Sequence, residues 1–185
     1  MCWSLQGSGC DIKKNEDKNI VNYCKNENVD YFRGDLDDVL NRAVECADYF
    51  NLQRFARVCA DRPLFDYTII DKYMKIHREG CFDLVTNIDP PTFPKGMTVE
   101  IISTDILREI GQNTISKYDR EHITQYFYNN SSNYKIHNNL CESGNLSKYE
   151  LTVDDDEDLA KIIWIYQKLK DDVMNKDIEK IIGLL

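Results

Sequence analysis

The sequence predicts an α/β fold, a mostly parallel sheet with helices on both faces, and two observations predict it. Amphipathic helical stretches alternate with short apolar runs along the chain, the pattern of a sheet whose crossovers are helices. One of those runs, Phe55 to Ala60, is apolar except at Arg57, as expected of a strand covered on both faces. The 185 residues, 42% hydrophobic and 30% charged, suit one domain able to bury a core. Residues 1–16 show no clean period and read as an irregular N-terminal segment; residues 17–185 read as the α/β domain.

The elements follow in order. Asp17 is placed to cap a helix whose inner face is Ile20, Val21 and Cys24, and Val29 to Phe32 reads as a strand ending at Arg33-Gly34. Asp35 opens a helix with Val39, Leu40, Ala43, Val44 and Ala47 facing the core. After the Phe55 strand the run stops at Asp61-Arg62-Pro63, and Asp66 starts a helix carrying Ile69, Ile70, Tyr73, Met74 and His77. Phe82 to Thr86 is the next strand. Three of the four prolines crowd the stretch from Asp89 to Gly96, which reads as a stiff, exposed loop with a functional or interface role. Met97 to Ile102 returns as a strand, Thr104 to Ile110 as a helix, and Arg120 to Tyr128 as an aromatic-rich helix. Strands at Tyr134 to His137 and Tyr149 to Val153 precede a long helix whose start, Asp155 to Asp158, is acidic, where orphan N–H groups favour negative charge. A short terminal helix spans Ile178 to Leu185.

Composition excludes some functions. A formal net charge of −9 argues against nucleic acid or an anionic membrane surface as partner, since both would be repelled. No apolar stretch reaches the ~20 residues that span a bilayer, and no signal peptide is visible at the N-terminus. Seven cysteines, an odd number without a C-x-x-C pair, read as reduced thiols of a cytoplasmic protein.

In an open α/β sheet ligands gather beyond the carboxyl ends of strands, so polar residues there are the candidates. Asp61 and Asp154 are the pair of most interest, because carboxylates from neighbouring strand ends can hold one Mg²⁺, a cation that prefers oxygen and bridges to phosphates. Each also has a plain local reading: Asp61 as a turn residue before Pro63, Asp154 as the N-cap of the long helix. Arg33 and Arg62 can grip a phosphate or carboxylate, or can be solvated side chains. His122, beside Glu121, can donate to a ligand or pack on its aromatic helix.

Phe32-Arg33-Gly34, followed by Asp37-Asp38-Val39-Leu40 and Arg42, resembles the "FRG..DDVL.R" signature of the spore coat polysaccharide biosynthesis protein F family. This is a branch of the cytidylyltransferases that activate acidic sugars, alongside the acylneuraminate and CMP-KDO synthetases. Asp61-Arg62-Pro63-Leu64-Phe65-Asp66 resembles its "GD.PLID", and Thr92-Phe93-Pro94-Lys95-Gly96 through Glu100 its "tfP.G.dvE". Arg120-Glu121-His122-Ile123-Thr124 matches "REHvT", and Leu151-Thr152-Val153-Asp154 with Asp158 matches "LTVDt.eD". Five motifs in order are far more specific than any one.

The resemblance implies a nucleotide-diphospho-sugar transferase (glycosyltransferase-A-like) fold and the reaction of CTP with an acidic sugar to give CMP-sugar and pyrophosphate. It makes Asp61 and Asp154 catalytic ligands of Mg²⁺. Arg33, Gly34 and Asp37 would border the base and sugar pocket, with Arg62 nearby, while Glu100, Arg120 and His122 would face the sugar or a subunit interface of a homodimer. The setting implied is cytoplasmic synthesis of a surface polysaccharide or glycan.

Ala60 and Thr98 depart from the family's Gly and Asp at those positions. Family members also begin with a strand and a loop of the type "QARMGSTRLPGK" that cradles the CTP phosphates. Gly7-Ser8-Gly9 is too short for it and lacks its cations, so the fold is expected to be N-terminally incomplete. The alternative function is a truncated or degenerate, non-catalytic interaction module of the same fold.

Overall fold

A computed structural model describes residues 2–3, 9–12, 18–170 and 177–185. Its elements in order are β1 (Cys2–Trp3), β2 (Gly9–Ile12), α1 (Lys18–Asn26), β3 (Tyr31–Gly34), α2 (Val39–Tyr49), β4 (Arg54–Arg57) and α3 (Thr68–Gly80). There follow β5 (Leu84–Thr86), β6 (Glu100–Ser103), α4 (Thr104–Asn113), α5 (Lys117–Glu121), α6 (Gln125–Asn129), β7 (Ile136–Asn138), α7 (Asp156–Leu169) and α8 (Ile178–Ile182).

The α/β layering is the one the sequence predicts; strand direction is what periodicity does not carry. Strands β4-β6-β5-β7 form one sheet, in which β6 runs antiparallel to both β4 and β5 while β7 is parallel to β5. A second sheet, β1-β2-β3, pairs β2 parallel to β3 and β1 antiparallel to β2. Strand pairing therefore reaches into the segment read as irregular, because a two- or four-residue strand is recognised by its partner and not by its own alternation. The expected cap at Asp17 and most of the surrounding loop lie outside the described residues.

Both faces of the four-stranded sheet are covered, which explains the continuous apolar runs. Neighbouring residues alternate between two cores: Phe55, Leu84 and Ile102 pack with Leu40, Ala43, Leu107, Ile110 and Phe127 of the α2, α4 and α6 layer. Ala56, Val85 and Ile101 pack on the other side with Tyr73 and Met74 of α3. Ile101 and Ile102 are fully buried, and each such side chain contributes about 1.5–3 kcal/mol. A third cluster joins Leu64, Met97 and Leu151 to Ile162, Ile165 and Ile181 of α7 and α8.

Several boundaries differ from the periodicity. Helix α2 begins at Val39, capped by the Asp38 carboxylate on the Asn41 N–H at 3.0 Å; Asp35 sits outside it and its Oδ1 accepts the N–H groups of Asp37 and Asp38. The expected helix from Arg120 to Tyr128 is two helices, α5 and α6, because the chain turns at His122 to bury Ile123 beside Phe127. Among the described residues Tyr149 to Val153 makes one isolated parallel bridge, Lys95 to Glu150, in place of the expected strand. Among the described residues no helix is long and apolar enough to cross a membrane.

Candidate functional site

The site grows from three segments that end at one place. After β4 the chain runs through Val58 to Asp61 and turns over Arg62 and Pro63, the turn closing with the Phe65 N–H on the Arg62 carbonyl at 3.1 Å. The Val153 N–H donates to the Asp61 carbonyl at 2.9 Å, which sets Asp154 beside that turn. Tyr166 of α7 donates its hydroxyl to the Pro63 carbonyl at 2.8 Å and anchors the long helix to the same turn.

The third segment is the proline-rich loop. Gly96 has φ +95°, and a Cβ there would lie 2.8 Å from the carbonyl carbon and oxygen of Leu151. Only glycine allows that approach. It lets the Lys95 N–H reach the Tyr149 carbonyl at 3.0 Å and the Leu151 N–H reach the Lys95 carbonyl at 2.9 Å. Arg62 Nη1 in turn donates to the Thr98 carbonyl. The loop, the Asp61 turn and the approach to Asp154 are thereby tied into one rim.

That rim borders an open cavity of about 460 Å³ whose polar lining includes Arg62, Lys95, Thr98, Glu150 and Asp154, with Ile88, Pro91 and Phe93 as its apolar side; Asp61 stands behind the lining, next to Arg62. Lys95 and Glu150 are ion-paired at 3.0 Å at its exposed mouth.

The plain local reading of Asp61 holds, since it lies in the turn before Pro63, whereas that of Asp154 as a helix cap does not. The N-cap of α7 is Asp155, whose side chain accepts the N–H groups of Glu157 and Asp158, so Asp154 is not spent on capping. Asp154 keeps one 3.3 Å contact from the Thr152 hydroxyl, and its N–H goes to Asp158. Asp158 itself is held below the usual carboxylate range, chiefly by its hydrogen bond from Lys161. Asp61 Oδ1 and Arg62 Nε are buried without hydrogen-bond partners among the described residues; their 3.8 Å separation is an ionic contact too long for a hydrogen bond. A buried carboxylate oxygen left unsatisfied is costly and calls for a partner, whether water, a cation or a ligand. Hard oxygen donors of this kind fit Mg²⁺. No group of three or more His, Cys, Asp or Glu side chains gathers among the described residues, so the two aspartates would leave further coordination positions to water and phosphate oxygens.

The other predicted residues are not brought to this cavity. Gly34 is buried against Arg42, whose Nη1 donates to the carbonyls of Asp35 and Leu36; a Cβ on Gly34 would meet Arg42 Cγ at 2.5 Å. Arg33 lies on β3 next to it, and Asp37 is exposed in the turn before α2. Arg120 donates from Nε to the Asp38 cap at 2.9 Å and from Nη1 to the Gly111 carbonyl at 2.9 Å, pinning α5 to α2. His122 stacks edge-on against Tyr118 at 4.5 Å between ring centroids. Glu100 is 1% exposed: Arg57 donates to Oε2 at 2.6 Å and the Tyr128 hydroxyl to Oε1 at 2.8 Å. Burial first, then the Glu100 charge, pushes the Tyr128 phenol far up. Thr98, Lys95 and the apolar residues of the loop were not singled out by sequence as individual site residues, although the proline-rich loop was marked as functional; nothing local distinguishes a loop side chain that faces a cavity.

Fold and site together define a protein of the nucleotide-diphospho-sugar transferase fold. A solved cytidylyltransferase from Leptospira borgpetersenii superposes with a TM-score of 0.80 at 28% identity, over 85% of this chain and 66% of that one. The chain is 30% identical over 175 residues to an uncharacterized protein of Methanocaldococcus jannaschii, covering 93% of this chain and 69% of that protein. It is 25% identical over 157 residues to the spore coat polysaccharide biosynthesis protein SpsF of Bacillus subtilis, 84% of this chain and 64% of that protein. The chain belongs to this cytidylyltransferase-like family and spans about two thirds of the length of these relatives. No family model matches the chain.

Proposed function

We propose that the chain carries the metal and sugar side of a nucleotidyltransferase site, and that the reaction is CTP plus an acidic sugar giving CMP-sugar and pyrophosphate. The observation that carries this reading is the Asp61 and Asp154 arrangement: the Val153 to Asp61 backbone hydrogen bond brings their two segments together, and Asp61 has a buried, unsatisfied carboxylate oxygen. The similarity to SpsF and to a solved cytidylyltransferase supports the reaction class.

In this reading Asp61 and Asp154 hold Mg²⁺, which would offset charge on the α-phosphate while the sugar hydroxyl attacks and pyrophosphate leaves. Arg62, fixed on the Thr98 carbonyl, keeps its Nε beside Asp61 and presents cationic charge to an anionic ligand. Lys95 at the mouth draws in acidic substrates, and the Ile88, Pro91 and Phe93 side excludes water from the ring faces of a sugar. The wider setting is a cytoplasmic homodimer working in surface polysaccharide or glycan synthesis.

The test is pyrophosphate release from CTP, Mg²⁺ and a panel of acidic sugars, with the protein alone and with the N-terminal part of a homologous cytidylyltransferase supplied in trans. Turnover that requires Mg²⁺ and both aspartates supports the reading. Absence of turnover in both formats, with Asp61→Ala and Asp154→Ala altering no property, would leave the non-catalytic module in its place.

A further inference from the structure

We propose that Asn87 is a positioning residue for this site, acting on Asp61 through Thr98 and Arg62; the inference rests on the nucleotidyltransferase reading above. Asn87 follows β5 directly and is fully buried. Its side chain spans a gap in the sheet ladder: Nδ2 donates to the Met97 carbonyl at 3.0 Å and Oδ1 accepts the Val99 N–H at 2.9 Å. One amide thus grips the residues on either side of Thr98.

Among the described residues the gripped segment has no other strand partner at that point, since β6 begins at Glu100. Between the two clamped residues, the Thr98 carbonyl is the acceptor that fixes Arg62 Nη1, and Thr98 lines the cavity together with Arg62 and Asp154. Arg62 Nε is then held 3.8 Å from Asp61 Oδ1. A buried amide with donor and acceptor both used defines a single orientation, because any rotation leaves two polar groups unpaired at once. The path from Asn87 to the candidate metal ligand therefore has three links, each a hydrogen bond or ionic contact of stated length or partner.

Serine would also drop both bonds, but aspartate is the informative substitution: it has the same shape, can still accept from Val99, and repels the Met97 carbonyl. The experiment compares the full protein with Asn87→Asp, Arg62→Gln and the double variant, following kcat, KM for CTP and amide hydrogen exchange. Positioning predicts that Asn87→Asp lowers kcat by roughly tenfold with KM within about twofold, the pattern of a lost transition-state alignment. It further predicts that the double variant is within about twofold of Arg62→Gln alone, since the two changes cut one path. In Asn87→Ser, which removes the acceptor of the Val99 N–H, Val99 amide exchange speeds up by at least about tenfold while that of Ile101 in β6 is unchanged.

Independent, multiplicative losses in the double variant overturn the proposal, as does unchanged Val99 exchange in Asn87→Ser. Where Asn87→Asp does not fold, Asn87→Ser removes both bonds without burying a charge and is read in the same cycle. If the wild-type protein turns over no substrate either alone or with the N-terminal part supplied in trans, the reaction reading fails; the exchange measurement, with Arg62→Gln expected to leave Val99 protected and Asn87→Ser to expose it, still decides whether Asn87 holds the loop.

Discussion

The Val153 N–H donates to the Asp61 carbonyl across 2.9 Å, and this single backbone bond brings two segments 92 positions apart into one rim. It places Asp154 next to the turn that holds Asp61, while Asp155 takes over the capping of α7. The two carboxylates are thereby released from structural duty, which is why their removal is expected to be felt in chemistry more than in stability.

Asp61→Asn and Asp154→Asn are each expected to lower kcat for pyrophosphate release by about 100-fold or more, the scale of a lost metal ligand. Asp61→Asn should leave the unfolding midpoint in urea nearly unchanged, because its Oδ1 makes no hydrogen bond among the described residues. A large stability loss with unchanged turnover would assign Asp61 to the fold.

Gly96→Ala is expected to destabilise the protein by about 2–3 kcal/mol in denaturant unfolding. The left-handed backbone at φ +95° and the 2.8 Å approach to Leu151 act together. Since the strain would push Lys95 and Thr98 out of register with Glu150, activity should fall as well.

Glu100→Gln is expected to cost roughly 2–3 kcal/mol, somewhat under the usual figure for breaking a buried pair because the Arg57 side chain is 25% exposed. Tyr128→Phe, which removes one hydroxyl shared between Glu100 and Thr86, should cost about 1 kcal/mol. KM for the sugar should be unchanged in Tyr128→Phe. A selective rise in KM would return Glu100 and its network to the binding site.

His77 of α3 is buried with both ring nitrogens unsatisfied among the described residues. Burial first, and then Arg54, lower its pKa from the ordinary 6.5, with Asp83 pulling the other way. The folded state therefore binds this proton more weakly than the unfolded chain does, so its full contribution to stability is present above pH 6.5 and is lost as pH falls below it, toward the lowered folded value. Urea unfolding between pH 7 and pH 5 should show that decline, and His77→Leu should flatten it. An unchanged slope in His77→Leu would assign the decline to other groups.

What could be read from the chain itself was what local chemistry carries. Periodicity showed the helices α2, α3, α4 and α7 and the doubly buried strands β4, β5 and β6, since apolar residues at helical or continuous spacing have few other places to go. The five motifs gave the family and pointed to Asp61 and Asp154. Folding decided everything that depends on distant partners. The direction of β6, the pairing of β1 and β2, and the split of the aromatic-rich stretch into α5 and α6 are settled by neighbours remote in sequence. So are the roles within motifs: Gly34, Arg42, Asp38 and Arg120 brace α2 and α5, and Glu100 is locked to Arg57 and Tyr128, although each stands in a signature that the resemblance assigns to binding or leaves unassigned. A one-dimensional string records which groups can donate, accept or carry charge. Which of them find partners inside the protein, and which are left unsatisfied as Asp61 Oδ1 is, depends on hydrogen-bond geometry that exists only after the chain has closed on itself.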